Sequence, residues 1–315
     1  DIEPVGDESH LYEHFRVVLD KGQEMMRVDK YLFDRLTNSS RNRIQKAADA
    51  GFVMANGKAV KSSYKVKPMD VITVMMDRPR YENEVIPEDI PLDIVYEDKY
   101  LMVVNKPAGL VVHPGHGNYH GTLVNAIAWH MKDNPDYDAN DPHVGLVHRI
   151  DKDTSGLIIA AKNDYAHQFL SAQLADHTLA RTYECIVVGN LREDSGTVDA
   201  PIARDSRDRK RMAVVSGGRR AVTHWTVLAR CPGYTHVRCR LETGRTHQIR
   251  VHMAYLGHPI LGDTVYGAKK AVPGLTGQCL HAVGLQFIHP RTKELISLSC
   301  PLPEEFTAML RKIDR

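Results

Sequence analysis

Between Arg27 and Val74 the apolar positions keep a helical rhythm and then switch to short extended runs. Val28, Leu32 and Leu36 recur at helical spacing, and Ile44, Ala47 and Ala48 mark a second helix that Ser39-Ser40 can cap. Gly51 suits the position after that helix, where a positive φ is needed. Phe52-Val53-Met54-Ala55 and Val71-Ile72-Thr73-Val74 read as strands, with an Asn56-Gly57 turn between the helical and sheet portions. From Asp77 to Asp93 the pattern lapses. Pro79, Pro87, Pro91 and several acids there predict a semi-extended linker and a domain boundary.

From Ile94 onward, short strands interleave with a few helices. Strands are predicted over Tyr100–Asn105, Gly156–Ala161, Tyr183–Val188, Ala221–Ala229 and His236–Thr243. Leu285–Ile288 and Leu295–Ser299 follow, joined by a turn at residues 289–293. Helices are predicted at Tyr165–Leu179, Thr246–Leu256 and Glu304–Lys312. Neither regular β-α-β alternation nor repeats occur, so the fold class is α+β with a mixed, mostly antiparallel sheet. The expected organisation is an N-terminal extension (1–26), a small helix-rich domain (27–76), a linker (77–93) and a larger domain (94–315).

Composition narrows the class. A chain of 315 residues fits two domains, and 43% hydrophobic with 25% charged residues excludes disordered and fibrous proteins. Apolar runs such as Leu157–Ala161 fall short of the roughly 18–20 residues of a membrane span. The opening D-I-E-P-V-G-D-E-S-H lacks the basic start and apolar stretch of a signal peptide, and a start at Asp leaves room for a leader already removed. Five cysteines without a C-x-x-C pair read as reduced, buried thiols of a cytoplasmic protein. Seventeen histidines form no H-E-x-x-H or comparable pattern, so no metal is expected. No Gly-x-Gly-x-x-Gly precedes a helix and no phosphate-binding loop is present, so no nucleotide cofactor is expected either.

The formal charge of +2 argues against a strongly basic nucleic-acid binder until its distribution is considered. Arg27 to Lys67 carries ten cations against Asp29, Asp34 and Asp49, a segment charge of +7. The remainder of the chain is at −5, although Arg204 to Arg211 is a second basic stretch. One-signed charge packed into so short a segment points to phosphate binding. No aromatic series at stacking intervals accompanies it, which favours structured RNA or a duplex backbone over an extended single strand.

Two polar clusters are candidates for chemistry. Gly145 to Gly156 contains His148-Arg149-Ile150-Asp151-Lys152-Asp153-Thr154-Ser155 on a loop at a sheet end, where catalytic groups commonly sit. Three chemistries use such a loop: a kinase catalytic loop, a glycosidase pair of Asp151 and Asp153, or a single nucleophilic Asp held by an Arg. The kinase reading lacks an unbroken H-R-D, a glycine loop and a D-F-G. The second cluster is Leu241 to His252, where Thr246 caps a helix and Arg245 stands just before it. His247, His252 and His258, spaced five and six apart, are read as core or hydrogen-bonding histidines rather than ligands.

Two resemblances connect these features. R-V-D-K-Y-L, S-S-R-N-R-I-Q-K, G-F-V-M-A-N-G-K and Y-K-V-K-P-M-D-V-I-T-V resemble the S-four-type RNA-binding domain, with Met69 where that family usually has Gly. The larger domain resembles the RluA-type pseudouridine synthases, in particular their RluD-like branch. The matching strings are N-K-P-A-G-L-V-V-H-P from Asn105, H-R-I-D-K-D-T-S-G, Arg181-Thr182-Tyr183 and T-G-R-T-H-Q-I-R-V-H. Leu256-Gly257-His258-Pro259 with Gly262-Asp263, and Leu280-His281-Ala282, complete the set in the family's order.

The resemblance implies an isomerase that converts uridine to pseudouridine in RNA, most simply large-subunit ribosomal RNA, without a cofactor. It maps the family's catalytic Asp to Asp151, its active-site Tyr to Tyr183 and its Asp-pairing Arg to Arg245. Arg149 matches the residue that enters the space left by the flipped base. His148, Leu280, Arg41, Arg43 and Lys46 are assigned to substrate binding. The N1–C1′ bond breaks, the uracil turns, and C5 bonds to C1′. Asp151 serves as nucleophile toward C1′ or assists glycal formation. Extruding a base costs on the order of a few kcal/mol, and stacking on Tyr183 returns roughly 1–3. The expected protein is a monomer that engages RNA and neither a membrane nor a nucleotide cofactor. The alternatives are a non-catalytic RNA-binding or ribosome-assembly factor on the same scaffold, a synthase acting on transfer RNA, and a glycosidase releasing free base.

Overall fold

The computed structural model describes residues 12–36, 39–76, 85–115, 118–138, 141 and 143–315, and two compact units divide the chain between Glu84 and Val85. The first unit contains β1 (Tyr12–Val18), α1 (Val28–Phe33), α2 (Arg41–Asp49), β2 (Val53–Ala55), β3 (Lys58–Ala59) and β4 (Val71–Met76). Its antiparallel sheet runs β1-β4-β2-β3. Part of the expected N-terminal extension thus belongs to the domain. β4 buries Ile72 and Val74, and β1 covers its outer edge while Phe15 and Val17 pack on the same core. Residues 1–11 lie outside the described residues.

The helices form where the apolar spacing predicts them. Val28, Tyr31 and Leu32 of α1 and Ile44 and Ala48 of α2 share one core with Val53 and Ile72. Ser40 caps α2 by accepting the Arg43 N–H at 3.2 Å, and Gly51 follows the helix at φ 81°. Asn56-Gly57 joins β2 to β3, rather than helix to sheet, and both residues have positive φ, as a tight hairpin turn requires. Met69 occupies the third position of a Lys67–Asp70 turn with Pro68 second and φ 67° at Met69. That is the position of a type II turn where glycine is favoured. The departure from the family pattern therefore keeps the turn at some strain.

The second unit continues with β5 (Ile94–Glu97), β6 (Leu101–Lys106), α3 (Leu123–Met131), β7 (Ser155–Ala161), α4 (Asp164–Ala175) and β8 (Ala180–Val188). Then come β9 (Ser195–Asp199), β10 (Ile202–Arg204), β11 (Met212–Val214), β12 (Val222–Cys231), β13 (Tyr234–Leu241), α5 (Gln248–Tyr255), β14 (Leu280–Ile288), β15 (Leu295–Ser299) and α6 (Glu304–Ile313). The large sheet is ordered β5-β6-β7-β14-β8-β13-β12-β9, with β15 on β14. Among the described strands only β7 and β14 pair in parallel, so the α+β, mostly antiparallel expectation holds.

β7 is buried along its whole length because both faces of the sheet are covered. Ile158 and Ala160 join the core beneath α3, α5 and α6, and Leu157 and Ile159 join the core beneath α4. α3 was not predicted. Its buried positions run without a break from Leu123 to Ala128 before Trp129 and His130 reach solvent, so the sequence shows no spaced amphipathic period. Its start is a capping box between Thr122 and Asn125. Of the expected linker, residues 77–84 lie outside the described residues. Residues 85–93 are not a free spacer: Asn125 Nδ2 donates to the Ile86 carbonyl at 2.9 Å, and the Glu88 carboxylate accepts the Gly121 N–H at 3.2 Å. Gly156, the second residue of β7, has φ 113°, and a Cβ there would lie 2.3 Å from the Ala282 oxygen. Only glycine permits that parallel approach, which anchors the preceding polar loop beside β14.

Candidate active site

The loop between Leu146 and β7 is held from inside the fold. Ile150 is buried, while the adjacent Asp151 side chain is 26% exposed. Lys106 at the end of β6 is fully buried, and its ammonium donates to the Pro107, Leu110 and Lys152 carbonyls at 2.8–2.9 Å. Burial pulls its pKa down to about 7, against the charges of Asp153 and Asp151. One cation thus ties the Asn105-to-Pro114 motif to the Asp151 loop.

Asp151 opens onto a cleft of about 420 Å³. Tyr183 of β8 and Leu280 of β14, both buried, line it, as do Arg149 and Arg245. The sequence-predicted Asp151, Tyr183, Arg245, Arg149 and Leu280 are therefore brought together, although 129 positions separate Asp151 from Leu280. Among the described residues, Asp151 is the only carboxylate lining the cleft. Asp153 packs beside Gly277 instead, so the two-carboxylate arrangement of a glycosidase is not formed.

His148 does not line this cleft. Its Nε2 accepts the Ile159 N–H at 3.1 Å, and burial and Arg181 push its pKa down to about 3. It is a neutral ring that fastens the loop to β7, while Arg149, exposed, donates to Thr246 Oγ1 at 3.0 Å. Arg41, Arg43 and Lys46 are exposed on α2 of the first unit. Arg41 lies 3.4 Å from Asp29, a buried carboxylate that also takes Arg27.

The cation that pairs with Asp151 is Arg250, not Arg245. Arg250 Nη1 is 3.1 Å from Asp151, and its Nε and Nη2 bind Asp263 at 2.8 and 3.1 Å. Arg245 precedes the helix, and its Nε donates to the Arg220 carbonyl at 2.8 Å. The helix also starts later than predicted. α5 begins at Gln248 after His247, which is left-handed at φ 58°, and Thr246 makes no cap. Gln248, the first residue of α5, instead ties the preceding turn, its Oε1 accepting from Thr243 Oγ1 and the Arg245 N–H at 2.8 and 3.0 Å.

Burial opposes the charge of Arg250, but the bonds and charges of Asp263 and Asp151 outweigh it and raise its pKa. Burial likewise opposes ionisation of Asp263, and Arg250 with the Tyr266 and Val265 N–H groups holds it below the usual carboxylate range. Burial raises the Tyr183 phenol, partly offset by Arg181, so it is a neutral ring at pH 7. A further chain reaches Asp151. The Met212 N–H donates to Tyr266 Oη at 2.8 Å, which lies 2.7 Å from His247 Nδ1, and His247 Nε2 is 3.7 Å from Asp151. Burial lowers the His247 pKa. The neutral imidazole therefore accepts from the tyrosine and turns an N–H toward the carboxylate.

Arg250, Asp263, Tyr266, His247 and Lys106 were not singled out as functional from the sequence. Arg250, Asp263, His247 and Lys106 lie in the strings quoted above, but spacing along a string does not reveal a partner 99 residues away. His252 and His258 hydrogen-bond Thr223 Oγ1 and the Val188 carbonyl. Among the described residues no three His, Cys, Asp or Glu side chains are grouped to hold a metal.

The family model described as RNA pseudouridylate synthase matches residues 100–255, and the S4 domain model matches residues 26–72. An uncharacterized RNA pseudouridine synthase of Bacillus subtilis (strain 168) is 46% identical over 291 residues, 92% of this chain and 95% of that protein. The chain belongs to the RNA pseudouridine synthase family. A protein of Zymomonas mobilis named ribosomal large subunit pseudouridine synthase D is 45% identical over 299 residues, 91% of this chain and 93% of that one. Human RNA pseudouridylate synthase domain containing 4 shares the fold at TM-score 0.56 and 26% identity, covering 70% of this chain and 92% of that structure. The chain is thus an RNA pseudouridine synthase with an S4 RNA-binding domain.

Proposed function

We propose that this synthase isomerises specific uridines of large-subunit ribosomal RNA, with Asp151 as the reacting carboxylate and Arg250 as its cation. The observation that carries the reading is the isolation of Asp151: one carboxylate in the cleft, 3.1 Å from a guanidinium, beside the buried Tyr183 and Leu280. A uracil turned out of the RNA stacks on Tyr183 while Asp151 faces C1′. Arg149, exposed at the cleft, fills the gap left in the RNA, and Arg245 binds substrate rather than Asp151. The N1–C1′ bond breaks, C5 bonds to C1′, and the C5 proton is exchanged for one at N1. Oxidation state and atoms balance, so the reaction draws on no redox partner or energy source.

Arg41 and Arg43 stand in the first turn of α2, whose dipole already favours phosphate, and with Lys46 of its last turn they anchor structured RNA. The name carried by the Zymomonas relative supports ribosomal rather than transfer RNA as substrate. The protein acts as a monomer in the cytoplasm, where that RNA is made. The intact Asp151–Arg250–Asp263 set disfavours a non-catalytic assembly factor, because no binding role requires it.

Asp151→Ala should abolish tritium release from RNA labelled at uridine C5 while RNA binding is retained. Near-parental release by the variant would refute the assignment. Mapping pseudouridines in ribosomal and transfer RNA from cells with and without the gene identifies the target. Abasic product in place of pseudouridine would restore the glycosidase reading.

A further inference from the structure

Arg181 is 7% exposed on β8, two residues from Tyr183, so the two side chains share a face of the strand. Its Nε is buried without a hydrogen-bond partner, and among the described residues no carboxylate lies within ion-pair distance of it. Buried arginines are ordinarily paired, because a desolvated charge without a counter-charge is unfavourable. The residues around it add charge of the same sign. Burial lowers the Arg245 pKa, and so do Arg219, Arg181 and Arg220. Glu242, the acid that lines the adjoining groove, is engaged by Arg220 at 3.4 Å and His224 at 3.7 Å.

The sequence also makes room for this side chain. A Cβ on Gly244 would fall 2.3 Å from Arg181 Nη1, so the glycine of Thr243-Gly244-Arg245 is what lets the guanidinium lie beneath that turn. Arg149, Arg181, Gly244 and Arg245 line both the Asp151 cleft and an adjoining groove of about 950 Å³. The missing counter-charge therefore belongs at the junction, within one nucleotide of a base lying on Tyr183.

We propose that Arg181, with Arg149 and Arg245, forms a phosphodiester site that grips an RNA backbone phosphate flanking the flipped uridine. The proposal rests on the reading of the cleft as the uridine site. A guanidinium fork matches two phosphate oxygens at once, which a point charge does not. The phosphate completes the pairing of Arg181 as the base enters, so capture of the correct nucleotide and neutralisation of the buried cation are one event.

The test uses a large-subunit ribosomal RNA fragment that contains the mapped target uridine, with single phosphodiesters around that uridine replaced in turn by neutral methylphosphonates. One linkage should cost the parent about ten- to a hundredfold in affinity and conversion. Arg181→Met should lose a similar factor on unmodified RNA and no more on that modified RNA, and Arg181→Lys should recover part. The melting temperature of Arg181→Met should equal or exceed that of the parent, because an unpaired buried cation has been removed. Additive losses from variant and linkage, or a lowered melting temperature with unchanged RNA affinity, would overturn the site. So would inorganic phosphate competing with RNA while no linkage matters, which would assign the site to the free anion. Equilibrium binding of the same RNAs reads the site without conversion. If the uridine reading fails, the parent converts none of them; if only the site fails, the parent converts them with additive losses.

Discussion

Asp263→Asn changes a single atom type in a side chain that does not line the cleft, and it should disable the reaction. Asp263 Oδ2 accepts Arg250 Nε at 2.8 Å, while Oδ1 accepts Arg250 Nη2 and the Val265 and Tyr266 N–H groups at 3.0–3.1 Å. With an amide here, the oxygen is best placed at Oδ1, where three donors converge. The NH2 group then faces the Nε–H of Arg250, donor against donor, with both groups shut off from water. A charge-assisted bond is lost and a buried cation keeps only Asp151 as partner. Breaking one side of a buried pair typically costs 3–5 kcal/mol, and the remaining partner favours the low end, about 3. For a unit of this size that is roughly 6–12 °C in Tm.

The displaced guanidinium also carries Asp151 with it, and misplacement by about 1 Å costs on the order of 10²-fold in kcat. Because Asp263 titrates below the usual carboxylate range when folded, its contribution is present above the unfolded carboxylate pKa and is lost as pH falls through the folded value. The stability gap between parent and variant should therefore close on acidification. Calorimetry of the full chain across pH, with tritium release at neutral pH, measures both effects. A variant that melts within about 1 °C of the parent and converts RNA at the parental rate would refute the hub role of Arg250.

Three further outcomes are expected. Met69→Gly should stabilise the S4 unit by about 0.5 kcal/mol, or roughly 2–4 °C, because relief of the left-handed strain exceeds the added freedom of the unfolded chain; a calorimetric scan checks this. His148, with a folded pKa near 3 against 6.5, makes the unfolded state bind an extra proton between those values, so stability falls as pH drops through that window. His148→Gln keeps an acceptor for the Ile159 N–H and should remove close to one proton from that linkage near pH 5, read from the pH dependence of urea midpoints. Replacing Arg41, Arg43 and Lys46 together by Gln should reduce the slope of log affinity against log salt by about 2–3, and an unchanged slope would remove α2 from the RNA interface.

Local patterning was sufficient for much of this protein. The helical spacing of Val28 and Leu32, the Ser40 cap, the strands of the large sheet other than β5 and β9, and the one-signed charge from Arg27 to Lys67 need no distant partner to be read. The loop bearing Asp151 and the strand bearing Tyr183 were legible for the same reason, as a polar string ahead of an apolar run and a residue within one. Where an element depends on its neighbours, that reading gave out. α3 buries an unbroken run from Leu123 to Ala128 and so carries no spaced amphipathic rhythm, and β1 is defined by the edge of β4 that it completes.

The same division runs through the site. The residue types that perform the chemistry are written in consecutive strings, but which cation meets Asp151 depends on where α5 begins and on Asp263 across a later turn. The helix starts two residues later than its sequence predicts, and Arg250 rather than Arg245 reaches Asp151. Burial is also a property of the folded sheet alone. It leaves Arg181 without a counter-charge, neutralises His148, and encloses Lys106 among three carbonyls. Sequence determined which groups were available and which segments would be helix, strand or basic surface. Tertiary structure decided which of them meet and which are desolvated, because the energies of charge pairs and of buried polar atoms are set by neighbours that lie far apart along the chain.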